Sequence, residues 1–350
     1  MARLVTCGWE SGSVEEIGTS AGGGGASESI IAGGRSGAYA YIPTITFQGS
    51  NPTYQVRAIT LRSTPSELWA RIAVGYIVSG GHNIGWGVLN FYDGATLQIA
   101  IGHRDLDKTI RVYRGTTEIA SGGTVPATGF VCIEAHLIVH NTTGVVTVWV
   151  NGVQVINFTG NTRSSSVNQV TEIRVGLNKI AQSGSGATIT DSVRLDDLAI
   201  NDTTGSVNNG QICQGGIYPL FPSADTADKD FARSAGSDNY LLVNSRPPDD
   251  DTTYVQGVNS GDLDLYTIQS LSGQGQIDAV TVLTRMKSVG GSGAKGAPTI
   301  LSGGTASVGS QGQFGNVYAY HSQTWERDPN TTATWSYTAI ASLQIGVTVQ

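Results

Sequence analysis

Apolar residues recur in short runs along the first part of the chain, and turn-forming residues separate the runs. The runs have the length of strands and fall at residues 55–61, 70–78, 85–92, 97–102, 110–114, 130–139, 172–177 and 192–200. In residues 130–139 the odd-numbered positions from Val131 onward are apolar, whereas Glu134 and His136 share the other face. This period of two is typical of a half-buried strand. Many such runs predict an antiparallel sandwich or barrel.

The clearest local signal is a hairpin over residues 145–156. Two β-branched runs flank Asn151-Gly152, a pair that tolerates the positive φ angles of a two-residue turn. Residues 141–144 supply the preceding turn, so three strands in succession are expected to form a meander. The glycine-rich segments 21–26 and 183–186 are predicted to be flexible loops.

The length of 350 residues exceeds what one hydrophobic core usually serves, which favours two domains. Residues 201–210 have no apolar period and many turn formers, so we expect domains at 1–203 and 204–350. In the second, smaller domain the pattern predicts one short helix near 337–343. Its predicted strands are 217–222, 240–243, 264–268, 276–286, 299–302, 317–323 and 345–349. The expected fold class is therefore all-β.

The composition limits which classes of partner and which cellular location can be expected. The formal net charge is -7 and no cluster of Lys and Arg is present, so nucleic acid is an unexpected partner. No signal peptide and no apolar run of membrane-spanning length are seen, so we expect a soluble protein made in the cytoplasm. Cys7, Cys132 and Cys213 are far apart and are expected to be free, mostly buried thiols.

Two stretches of the first domain carry a family resemblance. They are the hairpin Trp149-Val150-Asn151-Gly152-Val153 and, some forty residues later, the strand from Val193 to Ile200 with its Asp196-Asp197 pair. In this order they resemble the end of a concanavalin A-like (laminin G-like) jelly roll. The resemblance implies that fold for the first domain.

Two stretches of the second domain resemble the C-terminal part of virion structural proteins of tailed bacteriophages. One is the Pro/Asp-rich turn at 244–255, and the other is the ending with Trp325, Asp328-Pro329, Trp335 and residues 340–346. Phe231 stands where such proteins often carry Trp. The resemblance implies a virion protein on the exterior of the particle, a capsid decoration or tail component that contacts other virion proteins. We also expect a homo-oligomer, with a trimer as the favoured state.

The residues themselves suggest no catalytic site. A retaining glycosidase needs two carboxylates on one strand face, and the nearest candidate, the strand with Glu134, has a single acid. His136 and His140 are four residues apart, which separates them by roughly 13 Å along a strand and prevents a shared metal. No cofactor is indicated. We therefore expect a protein that is not an enzyme.

Several residues are candidates for binding a glycan, a protein partner or calcium. Trp9, Trp69, Trp86 and Tyr92 could stack on a surface glycan in a lectin-like protein, the alternative function, although such residues more often belong to a core. Asp249, Asp250 and Asp251 could contact a basic patch on a partner, or cap a solvated loop. Asp196 and Asp197 are weak calcium candidates, because calcium prefers six to eight oxygen ligands.

Overall fold

The computed structural model describes residues 2–48, 53–78, 82–125, 128–182, 188–212, 215–273, 275–289 and 293–350. These residues are mostly in antiparallel strands, and they include a single short α-helix, so the all-β fold class is confirmed. The chain divides into two compact units, Met1–Glu10 with Val14–Ile217, and Ser11–Ser13 with Tyr218–Gln350. The domain boundary at 203/204 stays a prediction. The predicted loop 183–186 and Cys213 lie outside the described residues.

The first unit is built from two antiparallel sheets. Its strands are β1 Arg3–Cys7, β2 Thr19–Gly22, β3 Ala26–Ala32, β4 Tyr39–Gln48, β5 Tyr54–Thr60, β6 Glu67–Val78, β7 Ile84–Asp93, β8 Thr96–Arg104, β9 Thr109–Arg114, β10 Thr117–Thr124, β11 Val131–Ile138, β12 Gly144–Val150, β13 Val153–Gly160, β14 Glu172–Gln182 and β15 Thr188–Asp202. A 3-10 segment spans Val14–Glu16. Sheet A has the order β13-β12-β11-β6-β15-β4-β3, with β1 beside β15, and sheet B has the order β10-β9-β8-β7-β14-β5-β2.

Alternation along each strand creates the core of the first unit. In β11 the side chains of Ile133, Ala135 and Leu137 are buried, and they lie directly across from Ile72, Ala70 and Leu68 of β6. Residues opposed across two strands share a face, so these pairs form one apolar surface. Sheet B supplies the facing surface from residues such as Ile99, Val112, Ile173 and Val175, and both sets belong to one hydrophobic cluster.

The predicted meander is present as β11, β12 and β13, with Asn151 and Gly152 both at positive φ in the turn. The glycine-rich segment 21–26, by contrast, was wrongly predicted to be a flexible loop. Ala21 and Gly22 end β2, Ala26 begins β3, and the amide of Ala26 donates to the carbonyl of Gly23. The strands on both sides hold this turn in place, which composition alone does not reveal.

The second unit contains β16 Pro222–Lys229, β17 Ala232–Arg233, β18 Val255–Gln256, β19 Leu263–Ile268, β20 Val280–Met286, β21 Lys295–Ser302, β22 Thr305–Val308, β23 Gly312–Gln313, β24 Ala319–Trp325 and β25 Gln344–Val349. A six-stranded sheet has the order β16-β19-β25-β21-β22, with β23 beside β21, and β17-β18 and β20-β24 form two-stranded sheets. Helix α1 spans Tyr337–Ala341, and its N-cap Ser336 accepts from the amide of Ala339. The core of the second unit includes Val282, Ile300, Trp335, Ile340 and Leu343.

Two predicted strands of the second unit are wrong. Residues 217–221 form no strand, and β16 begins only at Pro222. Residues 240–242 form a 3-10 segment, because the carboxylate of Asp225 accepts the amides of Asn239 and Tyr240 and so favours a turn there.

Gly102 of β8 tests how tightly the first unit is packed. A Cβ added there would lie 1.9 Å from the carbonyl oxygen of Trp86, and backbone cannot move aside without opening the sheet. We expect Gly102→Ala to lower the free energy of unfolding by about 3 kcal/mol or more. Gly24→Ala is the control, because nothing lies within 4 Å of a Cβ at that position. Equal denaturation midpoints for the two variants would contradict the packing described here.

Candidate functional site

Three aromatic side chains lie on the face of sheet A that points away from the core. His136 of β11 lies directly across from Trp69 of β6 and Thr147 of β12, while Trp149 lies across from Glu134. Because Glu134 and His136 alternate with the buried positions of β11, all these residues share the outer face. We call Trp69, His136 and Trp149 the aromatic stack.

The rings of the stack are nearly parallel. The ring centroids of Trp69 and His136 are 4.1 Å apart with planes at 11°, and those of Trp69 and Trp149 are 5.7 Å apart at 25°. His136 Nε2 lies 2.8 Å from Glu67 Oε1, and since a carboxylate accepts, the ring nitrogen donates. Each aromatic contact stabilises the arrangement by about 0.5–1.5 kcal/mol beyond its buried area. The stack is therefore held in shape without a ligand.

Solvent reaches this part of the outer face. Trp69 and Trp149 are half-buried, and the side chain of Glu67 is 35% exposed. Gln154, directly across from Trp149, and Asn157, across from Thr147, are exposed. Two indoles thus lie inside a rim of carboxylate and amide groups.

The neighbouring part of the outer face is covered. The amide of Ile212 donates to Glu134 Oε1 at 2.5 Å, and Gln211 Nε2 donates to Glu134 Oε2 at 3.2 Å. Glu134 is only 2% exposed as a result. The one acid considered for sugar cleavage is therefore a buried anchor for the segment that follows β15.

Trp9 and Trp86, predicted as glycan contacts, lie in the core. Both are fully buried, Trp9 stacked on Tyr41 at 5.2 Å and Trp86 donating from Nε1 to Asp191 Oδ2 at 2.9 Å. Neither indole can meet a ligand at the surface. This placement agrees with the alternative weighed for these two residues, a place in the core, because residue type does not tell which face of a strand a side chain occupies.

Tyr92, the third of these candidates, is 8% exposed on the outer face of sheet B. The guanidinium carbon of Arg174 lies 3.9 Å from its ring centroid, and Asn178 Nδ2 donates to its hydroxyl at 3.1 Å. Burial raises the pKa of Tyr92, and Arg174 opposes that shift. The ring face toward Arg174 is occupied, so of the four predicted aromatic residues Trp69 is the one placed in an accessible cluster.

Asp196 and Asp197 lie at a bulge of β15, where Asp197 has φ of 53°. Each of their four carboxylate oxygens has a donor. Asp196 accepts the amides of Arg35 and Asp197, and Asp197 accepts from Arg35 Nη1, Ser36 Oγ and the amide of Ile217. Arg35 supplies the positive charge that a calcium ion would otherwise bring, so this geometry does not favour the calcium alternative.

Asp249, Asp250 and Asp251 have partners within the second unit. Asp249 accepts from Thr253, Asp250 pairs with Arg285 at 2.6 Å, and Asp251 pairs with Lys287. The basic side chains that were sought on another protein belong to this chain, Arg285 in β20 and Lys287 just after it. The acidic run thus fastens a loop, and its use as a partner contact is not supported by this placement.

Metal binding and thiol chemistry find little support. Within the described ranges no group of three or more His, Cys, Asp or Glu side chains could hold a metal ion. Burial raises the pKa of the Cys7 thiol well above its usual range and that of Cys132 to about 11, so neither thiol is activated. The described part of the chain also contains no helix long and apolar enough to span a bilayer.

No protein-family model matches this chain, and no curated protein is similar in sequence. Solved structures match part of this chain at low identity and low TM-score. An endo-β-1,4-glucuronan lyase from the fungus Trichoderma reesei is 14% identical, with 57% of this chain and 96% of that chain covered and a TM-score of 0.44. An alginate lyase bound to alginate trisaccharide is 10% identical, with 57% and 97% covered and a TM-score of 0.32. A GH131 β-glucanase catalytic domain from Podospora anserina is 11% identical, with 58% and 93% covered and a TM-score of 0.35.

These neighbours correct one expectation. The prediction that the chain is not an enzyme was wrong, because it excluded enzyme activity altogether. Proteins named for activity on glycans are among the structures similar to this chain. At such identities and TM-scores the likeness assigns no substrate, activity or site to this chain.

The buried acid Asp196 gives a pH-dependent prediction. Burial, with a contribution from Asp197, raises its pKa to about 7 from the ordinary 3.8. The folded state therefore holds the proton more tightly, and stability present at acidic pH is lost as the pH rises through 7. Between pH 5 and pH 8 this group should cost about 2.5 kcal/mol of unfolding free energy.

Asp196→Asn removes this group, so we expect its unfolding free energy, from denaturant titrations, to fall less between pH 5 and pH 8 than that of the wild type. Glu10, whose pKa is also raised by burial, is present in both proteins, so some pH dependence remains in the variant. Identical pH slopes for the two proteins would contradict the prediction.

Proposed function

We propose that this chain is an adhesion protein of a bacteriophage particle and that its first unit binds a glycan at the aromatic stack. The observation that carries the proposal is the pair of half-buried indoles, Trp69 and Trp149, on a solvent-facing sheet surface. Pyranose rings present C–H groups on one face, and these pack on indole much as other apolar groups do. A sheet surface with indoles and a polar rim suits such a ligand.

The rim suggests which glycans are favoured. Glu67, Gln154 and Asn157 offer carboxylate and amide oxygens to sugar hydroxyls. A uronate would meet the carboxylate of Glu67 with like charge, whereas neutral or amino sugars would not. We therefore propose a neutral or amino-sugar polymer as the ligand class.

The particle part of the proposal depends on the sequence resemblance of the second unit. Trp325, Trp335 and Leu343, which carry that resemblance, pack in or against the core of this unit. Trp335 Nε1 also donates to the carbonyl of Trp325 at 2.8 Å. These residues support a shared fold, from which the role in a virion is inferred by analogy. We propose that the second unit docks on the particle as part of a homo-oligomer, so that many copies strengthen weak glycan contacts.

Glycan binding is tested with Trp149→Ala. On a glycan array we expect the wild type to select neutral or amino-sugar polymers, and we expect the variant to bind the selected glycan at least tenfold more weakly, about 1.4 kcal/mol. Tyr218→Ala is the matched control, since Tyr218 is an aromatic residue of the second unit that is 59% exposed. A wild type that binds no glycan, or equal losses for both variants, would end this part of the proposal.

Location on a particle is tested separately, by sedimenting phage particles from a lysate of cells that produce them. We expect the full chain to sediment with the particles, and a label on it to appear on their exterior by electron microscopy. A chain that stays wholly in the soluble fraction would contradict the virion role, whatever the array shows.

A further inference from the structure

The second unit contains a buried pair of polar side chains, Asp264 of β19 and Asn239. Asp264 is 1% exposed and Asn239 is not exposed at all. Asn239 Nδ2 donates to Asp264 Oδ2 at 2.6 Å and to the carbonyl of Phe231 at 3.2 Å. Both neighbours of this nitrogen are acceptors, so the orientation of the amide is fixed.

One oxygen of each group is left over. Asp264 Oδ1 and Asn239 Oδ1 are both buried, and neither has a hydrogen-bond partner among the described residues. The other oxygen of Asp264, Oδ2, also accepts from the hydroxyl of Tyr266 at 2.8 Å. Leaving a buried acceptor unpaired costs about 1–3 kcal/mol, and more for a charged group. An ionised carboxylate cannot relieve this cost, because it has no hydrogen to give to the amide oxygen.

We propose that Asp264 is a protonated carboxylic acid in the folded protein and that its Oδ1–H donates to Asn239 Oδ1. A single proton then satisfies both leftover oxygens, and the carboxyl and carboxamide groups form a cyclic pair with one hydrogen bond in each direction.

The electrostatic surroundings favour the proton. Burial raises the pKa of Asp264, the donors Asn239 and Tyr266 oppose this shift, and the charges of Asp225 and Asp230 raise the pKa further. Asp225 belongs to β16, and Asp230 accepts the amide of Leu263. The nearby cation Lys229 is 3.9 Å from Asp225, with which it pairs.

A metal cation is the competing explanation for the two leftover oxygens. Calcium prefers six to eight oxygen ligands, whereas the pair leaves two. The described residues also contain no group of three acids or other metal-binding side chains around them. A proton needs just these two oxygens.

The pair of Asp264 and Asn239 holds neighbouring segments together in a pH-dependent way, and we call this pair the latch. Asn239 holds the 3-10 segment Tyr240–Leu242 against β19 through Asp264, and it holds the preceding loop through Phe231. The folded state binds the proton more tightly than an opened state with the ordinary pKa of 3.8. The latch is therefore closed at acidic pH, and its opening constant rises with pH between 3.8 and the raised pKa, by up to about tenfold per pH unit.

Asp264→Asn tests the latch. A carboxamide at 264 can exchange one hydrogen bond in each direction with Asn239 and still accept from Tyr266, but it cannot ionise. Hydrogen exchange of the full chain, read in peptides covering 231–243 and corrected for the intrinsic pH effect, should show this rise of up to about tenfold per pH unit in the wild type and none in the variant. Asp238→Asn is the matched control, a half-buried acid beside Asn239 that should keep the wild-type slope.

Wild-type NMR gives a second measurement that does not depend on the variant folding. The 13C shift of the Asp264 carboxyl carbon, followed from pH 3 to pH 8, should titrate above 3.8. Titration at or below 3.8 would overturn the proposal, as would exchange that is slowed by added calcium in the wild type and unaffected by calcium in Asp264→Asn.

Discussion

The burial of alternate side chains between two antiparallel sheets is the constraint on which the first unit depends. A shift of one residue in any strand pairing would send its whole apolar set to solvent, so the register is fixed wherever both sheets contribute. The opposed pairs Ile133 with Ile72 and Ile173 with Phe91 show that the two sheets keep this register. The register also fixes the outer faces, since the position of every outward residue is set by its inward neighbours in the same strand.

The same constraint explains the polar side chains that point inward. Gln55 and Arg57 of β5 lie across from Leu177 and Val175, which are core residues. Arg57 donates to the carbonyls of Ile17 and Gly18 and pairs with Glu28 at 3.0 Å. A buried charge of this kind is tolerated because its donors are used. It also ties the polar N-terminal strands, which have little apolar pattern of their own, to sheet B.

Sequence reasoning recovered the strands whose period is strict and missed those specified by contacts distant in the chain. Residues 130–139 and the Asn151-Gly152 turn are local signals, and β11, β12 and β13 follow them. Strands β1 to β4 escaped prediction, because Pro43 interrupts β4 and Gly and Ser dilute β2 and β3. The partners of Asp250 and Asp251, Arg285 in β20 and Lys287 just after it, lie more than thirty residues away, so no local pattern could reveal them.

The position of the aromatic stack could have been predicted from the phase of each strand, that is, from which alternate residues point inward and which point outward. In β12 the core positions Val146 and Val148 alternate with the outward residues Thr147 and Trp149, and in β6 Leu68 and Ala70 flank Trp69. A tryptophan in the polar phase of a strand must either be covered or meet a ligand, because its area is too large to leave in water without cost. The same reasoning fails for Trp86. The pairing of β7 with β8 is irregular between Gly87 and Leu89, and this changes which positions of β7 point inward. Phase therefore predicts a surface site only where the ladder is regular, and the ladders of β6 with β11 and of β11 with β12 are regular at the stack.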